Sequence, residues 1–202
     1  MSKISLLGAG TWGTALGIVL SSNGHDVTIW TKIEKEAKDL QENRKSLKNL
    51  PQAVLPDDVK ITLDLEEACR DKDLIVMSVA SPYIRKTAHD ASPFIKSGQK
   101  LVNVAKGIED KTLMTLSEVI KSEIPQADVA VLSGPSHAEE VSRCVPTTVV
   151  VGAETSETAR YIQEIFMNEV FRVYTSPDII GIELGGSLKN VIALAAGTVD
   201  GL

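Results

Sequence analysis

The residues with the clearest chemical potential open the chain and recur at intervals along it. Gly8-Ala9-Gly10-Thr11-Trp12-Gly13 fits G-x-G-x-x-G, and it sits between an apolar run, Ile4–Leu7, and a helical pattern, Gly13–Ser22. In that context the pattern is a dinucleotide fingerprint. Gly8 permits the tight turn, Gly10 lets backbone approach a pyrophosphate, and Gly13 lets helix and strand pack closely. The helix start offers unpaired N–H groups and a positive dipole end to phosphate. Lys32 follows the second apolar run, where an NAD-selective site carries an acid for the ribose 2′-hydroxyl. A lysine there attracts a 2′-phosphate, which favours NADP(H) or use of both cofactors, or it is a solvated loop lysine. Asp26 precedes that run and falls at its wrong end.

Three further groups follow predicted strands. Ser81-Pro82 reads as a helix cap with proline at the first helical position. Lys106-Gly107 holds the only charge between Lys100 and Glu109. A lysine at that place binds an anionic substrate or polarises an oxygen. Gly134-Pro135-Ser136-His137 comes next, with Ser136 a candidate cap for a helix starting near His137 and Glu139 or Glu140 in its first turn. His137 reads as structural rather than as an acid/base group, and His25 and His89 as surface residues. Lys189 is the only charge between Glu183 and Asp200, in a helix of Leu, Ile, Val, Ala and Gly. Either desolvation there lowers its pKa toward neutrality and suits it to general acid/base work, or the side chain snorkels outward to solvent. Asn190 beside it is a candidate for a substrate hydroxyl or for a helix–helix tie. Gly185 and Gly186 permit close approach.

These residues need a scaffold that gathers strand ends. Val- and Ile-rich runs at Ile4–Leu7, Val27–Trp30, Lys60–Leu63, Leu74–Val79, Leu101–Ala105, Val129–Leu132, Thr147–Val151 and Phe171–Tyr174 are too short for helices and read as strands. Helical patterns fall between them at Ile33–Leu47, Pro82–His89, Thr112–Ser122 and Glu157–Met167. The alternation predicts an α/β fold: a doubly wound, largely parallel Rossmann-type sheet with helices on both faces. In such sheets ligands lie beyond the carboxyl ends of the strands, so the strand-end groups line one crevice. Residues 1–176 read as this domain. Ser176-Pro177 reads as a cap, and 177–202 as a buried apolar helix that starts a second, all-helical domain and implies more chain beyond it.

Composition narrows the alternatives. The chain has 202 residues, 43% hydrophobic and 24% charged, with net charge −6. An acidic chain lacks the basic footprint of a general nucleic-acid binder. Two cysteines, Cys69 and Cys144, without CxxC or a Cys/His cluster argue against a disulfide scaffold or structural zinc and suit a reducing compartment. Residues 4–24 are uncharged, but the interspersed glycines deny them the clean apolar core of a secretory signal. No run of 18 apolar residues occurs, so no membrane span is expected.

The pieces in this order resemble the bacterial-type NAD(P)-dependent glycerol-3-phosphate dehydrogenases. The resemblance rests on GAGTWGTAL at Gly8–Leu16, KGIE at Lys106–Glu109, LSGPSHAEEV at Leu132–Val141, PTTVV at Pro146–Val150 and GGSLKNVIALAAGTVDGL at Gly185–Leu202. It implies reversible hydride transfer between NAD(P)H and dihydroxyacetone phosphate, giving sn-glycerol 3-phosphate for glycerophospholipid synthesis in the cytoplasm. By motif match it implies Lys189 as catalytic acid/base. Lys106, Gly134, Ser136 and Asn190 would be at the substrate. Thr11, Trp12, Lys32, Lys106 and Ala138 would join the glycines at the cofactor. It also implies a homodimer. Family members continue into a helical domain that completes the site, so this chain is expected to bind cofactor with little or no turnover. Its apolar face at Val191–Ala196 is expected to self-associate. The competing readings are a Rossmann dehydrogenase of hydroxyacids or sugar acids, and a dinucleotide-binding module without chemistry.

Overall fold

The computed structural model describes residues 1–45, 50 and 52–201. Eight strands form one sheet: β1 (Lys3–Leu7), β2 (Asp26–Trp30), β3 (Lys60–Thr62), β4 (Leu74–Met77), β5 (Lys100–Asn103), β6 (Asp128–Ser133), β7 (Thr147–Gly152) and β8 (Phe171–Ser176). Their order is β3-β2-β1-β4-β5-β6-β7-β8, parallel throughout except that β6 pairs antiparallel with β7. The chain order reverses at β1, between β2 and β4, which places the fingerprint at the switch point where doubly wound sheets bind ligands.

The helices are α1 (Thr11–Ser22), α2 (Glu34–Asn43), α3 (Leu65–Cys69), α4 (Ile84–Ala91), α5 (Leu116–Glu123), α6 (Ala138–Val141), α7 (Ser156–Phe166) and α8 (Ile179–Asp200). They bury two apolar layers, one on each face of the sheet. Ile4, Leu6, Leu74, Val76 and Val102 join Leu16, Leu20, Ile162 and Phe166 on the face of α1 and α7. Leu7, Ile75, Met77 and Leu101 join Ala68, Ile84, Ala88 and Ile120 on the face of α3, α4 and α5. Successive side chains of each strand alternate between the layers, so strands buried on both sides are apolar at nearly every position.

Local chemistry moved several predicted boundaries. Helix α5 begins at Leu116, not Thr112, because Thr115 and Glu118 form a reciprocal capping box and Leu113 turns left-handed at φ 58°. Ser81 is not a cap: it opens a 3-10 turn, Ser81–Tyr83, that leads into α4. Ser136 does not cap α6, since His137 occupies that position and gives no side-chain cap. The cap of α8 is Asp178, whose carboxyl accepts from Gly181 N at 2.8 Å, rather than Ser176-Pro177. Helix α2 stops at Asn43, with Arg44 left-handed at φ 51°. Ser46 and Leu47 of the expected helix, and Leu202 at the other end, lie outside the described residues. His25 is half-buried rather than a surface residue, with Ser2 N at 3.2 Å from Nδ1 and Ile165 O at 3.2 Å from Nε2.

Helix α8 departs most from expectation. It was expected to be buried, yet Val191, Ile192, Leu194 and Val199 are each more than 60% exposed, and Glu183 is its one buried residue. It is also, by length and composition alone, apolar enough to cross a membrane, although it contains no unbroken run of 18 apolar residues. Its first turns instead pack on β6 and β7, with Gly152 lying against Ile179 and Ile182.

Candidate active site and dinucleotide cleft

The fingerprint glycines do three different jobs. Gly8 lies at φ +129°, and its N–H donates to Trp30 O at 2.9 Å. A Cβ there would stand 2.6 Å from Val79 N. A Cβ on Gly13 would overlap Gly8 O, so Gly13 is what lets α1 approach the β1 turn. A Cβ on Gly10 would meet nothing within 4 Å. The packing does not demand glycine at Gly10, so its value is the open space over the start of α1. That start has no capping side chain and no acid in its first turn, which leaves its N–H groups and dipole available to an anion. Trp12 Nε1 is buried without a partner among the described residues. A buried indole N–H is normally satisfied. The open cradle and the orphaned donor both fit a bound dinucleotide.

Beyond this turn lies a cleft of about 470 Å³ walled by Gly8, Gly10, Trp30, Thr31, Lys32 and Glu36. Lys32 is exposed on its rim. Glu36 escaped the sequence reading. It sits on α2 and accepts from Thr31 Oγ1 at 2.8 Å, so the cleft presents an acid as well as a base. Asp26 is at the far end of β2, paired with Lys60 at 3.0 Å.

A second cavity of about 460 Å³ shares Gly10, Ser78, Val79 and Ala80 with that cleft. It brings together Thr11, Trp12, Lys106, Ser136, Ala138 and Lys189. Lys106 Nζ donates to Gly134 O at 3.0 Å and to Ser136 Oγ at 3.3 Å. Burial, and then the charge of Lys189, lower its pKa from 10.5 to about 8. The desolvated lysine expected from the sequence is therefore Lys106. Lys189 is exposed, at the open edge of the cavity that it shares with Lys106. Gly134 belongs at this position: a Cβ would stand 2.8 Å from Thr148 O.

An adjoining cavity of about 330 Å³ runs between Ser133, Gly134, Gly185, Gly186 and Lys189. Gly186 lets α8 lie against β6, since its Cβ would fall 2.5 Å from Ser133 Oγ, itself a buried oxygen without a partner among the described residues. Asn190 is exposed and lines none of these cavities. His137 borders the second cavity, with Nδ1 3.0 Å from Glu139 Oε2. A larger hollow of about 580 Å³ lies around Arg85, His89, Glu109 and Glu123, where Arg85 bonds both acids; of the strand-end groups expected in one crevice, it takes Ser81-Pro82.

The sequence matches two family descriptions in chain order. Residues 3–159 match the NAD-dependent glycerol-3-phosphate dehydrogenase N-terminus, and residues 178–202 the C-terminus of the same family. The chain belongs to the NAD-dependent glycerol-3-phosphate dehydrogenase family. Among curated relatives, glycerol-3-phosphate dehydrogenase [NAD(P)+] of Agathobacter rectalis is 58% identical over all 202 residues, which are 60% of that relative. The enzyme of the same name from Fusobacterium nucleatum is 53% identical, with 61% of its length covered. The chain thus spans about 60% of the length of the relatives that it matches. The crystal structure of glycerol-3-phosphate dehydrogenase from Coxiella burnetii superposes with a TM-score of 0.92 at 33% identity. That comparison covers 99% of this chain and 61% of the other. The family match spans both the fingerprint and α8, so the shared cavity is built from segments that belong to one family.

Proposed function

We propose that this protein is an NAD(P)-dependent glycerol-3-phosphate dehydrogenase that interconverts dihydroxyacetone phosphate and sn-glycerol 3-phosphate, feeding glycerophospholipid synthesis in the cytoplasm. The observation that carries the reading is the single cavity that unites Gly10, Thr11 and Trp12 of the fingerprint with Lys106, Ser136 and Lys189. When bound, the nicotinamide cofactor supplies or accepts the hydride. The start of α1 would hold its pyrophosphate, and Trp12 and Ala138 would flank it. Lys32 would stand by the ribose, which slightly favours NADP(H), with Glu36 as a counterweight that keeps NADH usable. Gly134, Ser136 and Asn190 would line the substrate position. Lys189 Nζ would give a proton to the carbonyl oxygen on reduction and take it back on oxidation. Residues 1–176 would form the nucleotide domain and α8 the first helix of a helical domain. A homodimer is the expected assembly.

A second reading of the proton step is favoured by one observation. Lys106, with its pKa near 8, is the lysine tuned for proton transfer in this structure. Lys106 Nζ would then move the proton, and Lys189 would hold the substrate.

A chimera tests both readings. The 202 residues replace the matching part of the Agathobacter rectalis relative, and NADPH oxidation is followed with dihydroxyacetone phosphate, a 2-keto acid and a sugar substrate. Turnover confined to dihydroxyacetone phosphate is expected. Activity on the keto acid or the sugar instead would assign a different dehydrogenase. Lys189→Ala should abolish turnover and keep NADPH binding, which is read from the two tryptophans, Trp12 and Trp30, that line the cavities. A raised KM with kcat retained in Lys189→Ala, beside lost turnover in Lys106→Ala, would select the second reading.

A further inference from the structure

Helix α8 exposes its aliphatic residues and buries an acid. Glu183 is 6% exposed, while Val191, Ile192 and Leu194 stand in the open. Burying a carboxyl group is unfavourable unless its oxygens are satisfied. Both oxygens of Glu183 are engaged: Oε1 accepts from Ser117 N at 2.9 Å, and Oε2 accepts from Ser117 Oγ at 2.6 Å. Ser117 lies in the first turn of α5, where two N–H groups, those of Leu116 and Ser117, are left over by the Thr115 capping box. An acid from another helix accepts from that of Ser117, at the dipole end that favours negative charge.

One turn further along α8, Ser187 Oγ donates to Glu183 O at 2.8 Å and accepts from Gly107 N at 3.1 Å. Gly107 directly follows Lys106. It lies at φ +145°, and a Cβ on it would come within 2.9 Å of Ser81 Cβ, so the loop has little freedom to shift. Between these anchors, Gly186 brings α8 onto Lys106, whose Cγ lies 3.6 Å from where a Gly186 Cβ would be. Glu183 and Ser187 therefore tie α8 to the two ends of the segment joining β5 to α5, and Lys106 and Lys189 lie on the two parts so joined.

We propose that Glu183 and Ser187 are positioning residues: together they fix the register of α8 against the segment between β5 and α5, and so set where Lys189 stands relative to Lys106. This inference rests on the reading of Lys106 and Lys189 as the working pair. Neither Glu183 nor Ser187 lines the cavity that holds the two lysines, so they act through position and not by touching substrate.

The test uses this 202-residue chain and needs no turnover. Acetylation of Lys106 by a trace of acetic anhydride is followed by peptide mass spectrometry across pH, and the midpoint reports the titration of that amine. Lys189 is the charge that acts on it, and His137 with its partner Glu139 borders the same cavity. Ser187→Ala and Glu183→Ala should each raise the midpoint by about one pH unit toward the ordinary lysine value, as α8 moves off and water reaches the amine. Glu183→Gln keeps the shape, accepts from Ser117 N through its amide oxygen and can donate to Ser117 Oγ through its amide nitrogen, so it should leave the midpoint where it was. Circular dichroism and thermal melting verify folding. If Glu183→Ala does not fold, Ser187→Ala decides. Unmoved midpoints in the folded Ala variants would overturn the proposal. So would a Gln variant that shifts as far as Ala, because charge and not position would then be at work. A wild-type midpoint already near 10.5 would overturn the reading of Lys106 itself, a result distinct from the other two.

Discussion

Replacing Lys106 by methionine should abolish a gain in stability that the wild type makes as pH rises above 8, and the size of the effect follows from the cavity. The folded amine titrates at about 8 and the free one at 10.5, mostly because burial disfavours the charged form and secondly because Lys189 repels it. Each pH unit of that gap is worth about 1.4 kcal/mol. The charged amine therefore costs the fold at most about 3 kcal/mol at neutral pH. Lys106 keeps some contact with water, which reduces the expected figure to about 1–2 kcal/mol. Below pH 8 the folded and unfolded chains both carry the proton, and the cost is complete. Between 8 and 10.5 the folded amine has released its proton while the unfolded one has not, so the cost fades as pH rises. Above 10.5 it is gone. Lys106→Met, of similar length and uncharged, has no such term, and water can replace its lost bonds to Gly134 O and Ser136 Oγ. Urea unfolding of both proteins at neutral pH and near pH 10 isolates the difference, because every other titrating group is common to the pair. Wild type should gain about 1–2 kcal/mol on the variant over that range. Parallel pH profiles would refute the claim that Lys106 is desolvated in the fold.

Other consequences are equally direct. Gly10→Ala should fold normally yet weaken NADPH binding in a tryptophan titration, whereas Gly13→Ala should lose about 1–3 kcal/mol of stability as α1 is pushed from Gly8 O. Lys32→Ala should lower the ratio of NADPH to NADH affinity by about 5- to 10-fold, and an unchanged ratio would make Lys32 a solvated loop residue. Phe166→Ala, which removes a fully buried ring 6.5 Å from that of Phe171, should cost about 3–5 kcal/mol in chemical denaturation without changing cofactor selectivity.

The sheet was legible because its strands are buried on both faces and their sequences can hardly be read otherwise. The crevice was legible for a related reason: Lys106 and Gly134-Pro135-Ser136 each follow a strand, and parallel strands deliver their ends to one edge. What escaped depends on partners distant in sequence. The apolar neighbours of Lys189 left open whether it is desolvated or reaches solvent, because burial is decided by what covers a helix; it is exposed, at the edge of the cavity. Lys106 looked less remarkable, but the stem of α8 lies across it. Nothing local in the sequence marks Glu36 or Glu183. Only the pairing of Glu36 with Thr31, and of Glu183 with Ser117 across the boundary between helices, gives them meaning. The start of α5 failed differently: Thr112 is a plausible cap, but Leu113 turns left-handed and Thr115 has its glutamate three residues on.

Two lysines facing one cavity form a strained arrangement that no local preference would produce. The charge of Lys189 disfavours that of Lys106, and no salt bridge to either is found among the described residues. Such a pair persists only if the elements carrying it are held by something stronger than its repulsion. The sheet holds the Lys106 side through β5. The α8 side packs on β6 and β7 only through its first turns, and its polar ties to the rest of the fold are Glu183 and Ser187. This division has a functional sense for the proposed substrate. Its phosphate and the oxyanion character that develops at its carbonyl both attract the two lysines, so an anion beside them offsets a repulsion that the free site leaves uncompensated. Polar anchors suit this better than an apolar seam would. They fix the register of α8 in discrete steps and keep the spacing of the two charges constant whether or not an anion lies between them.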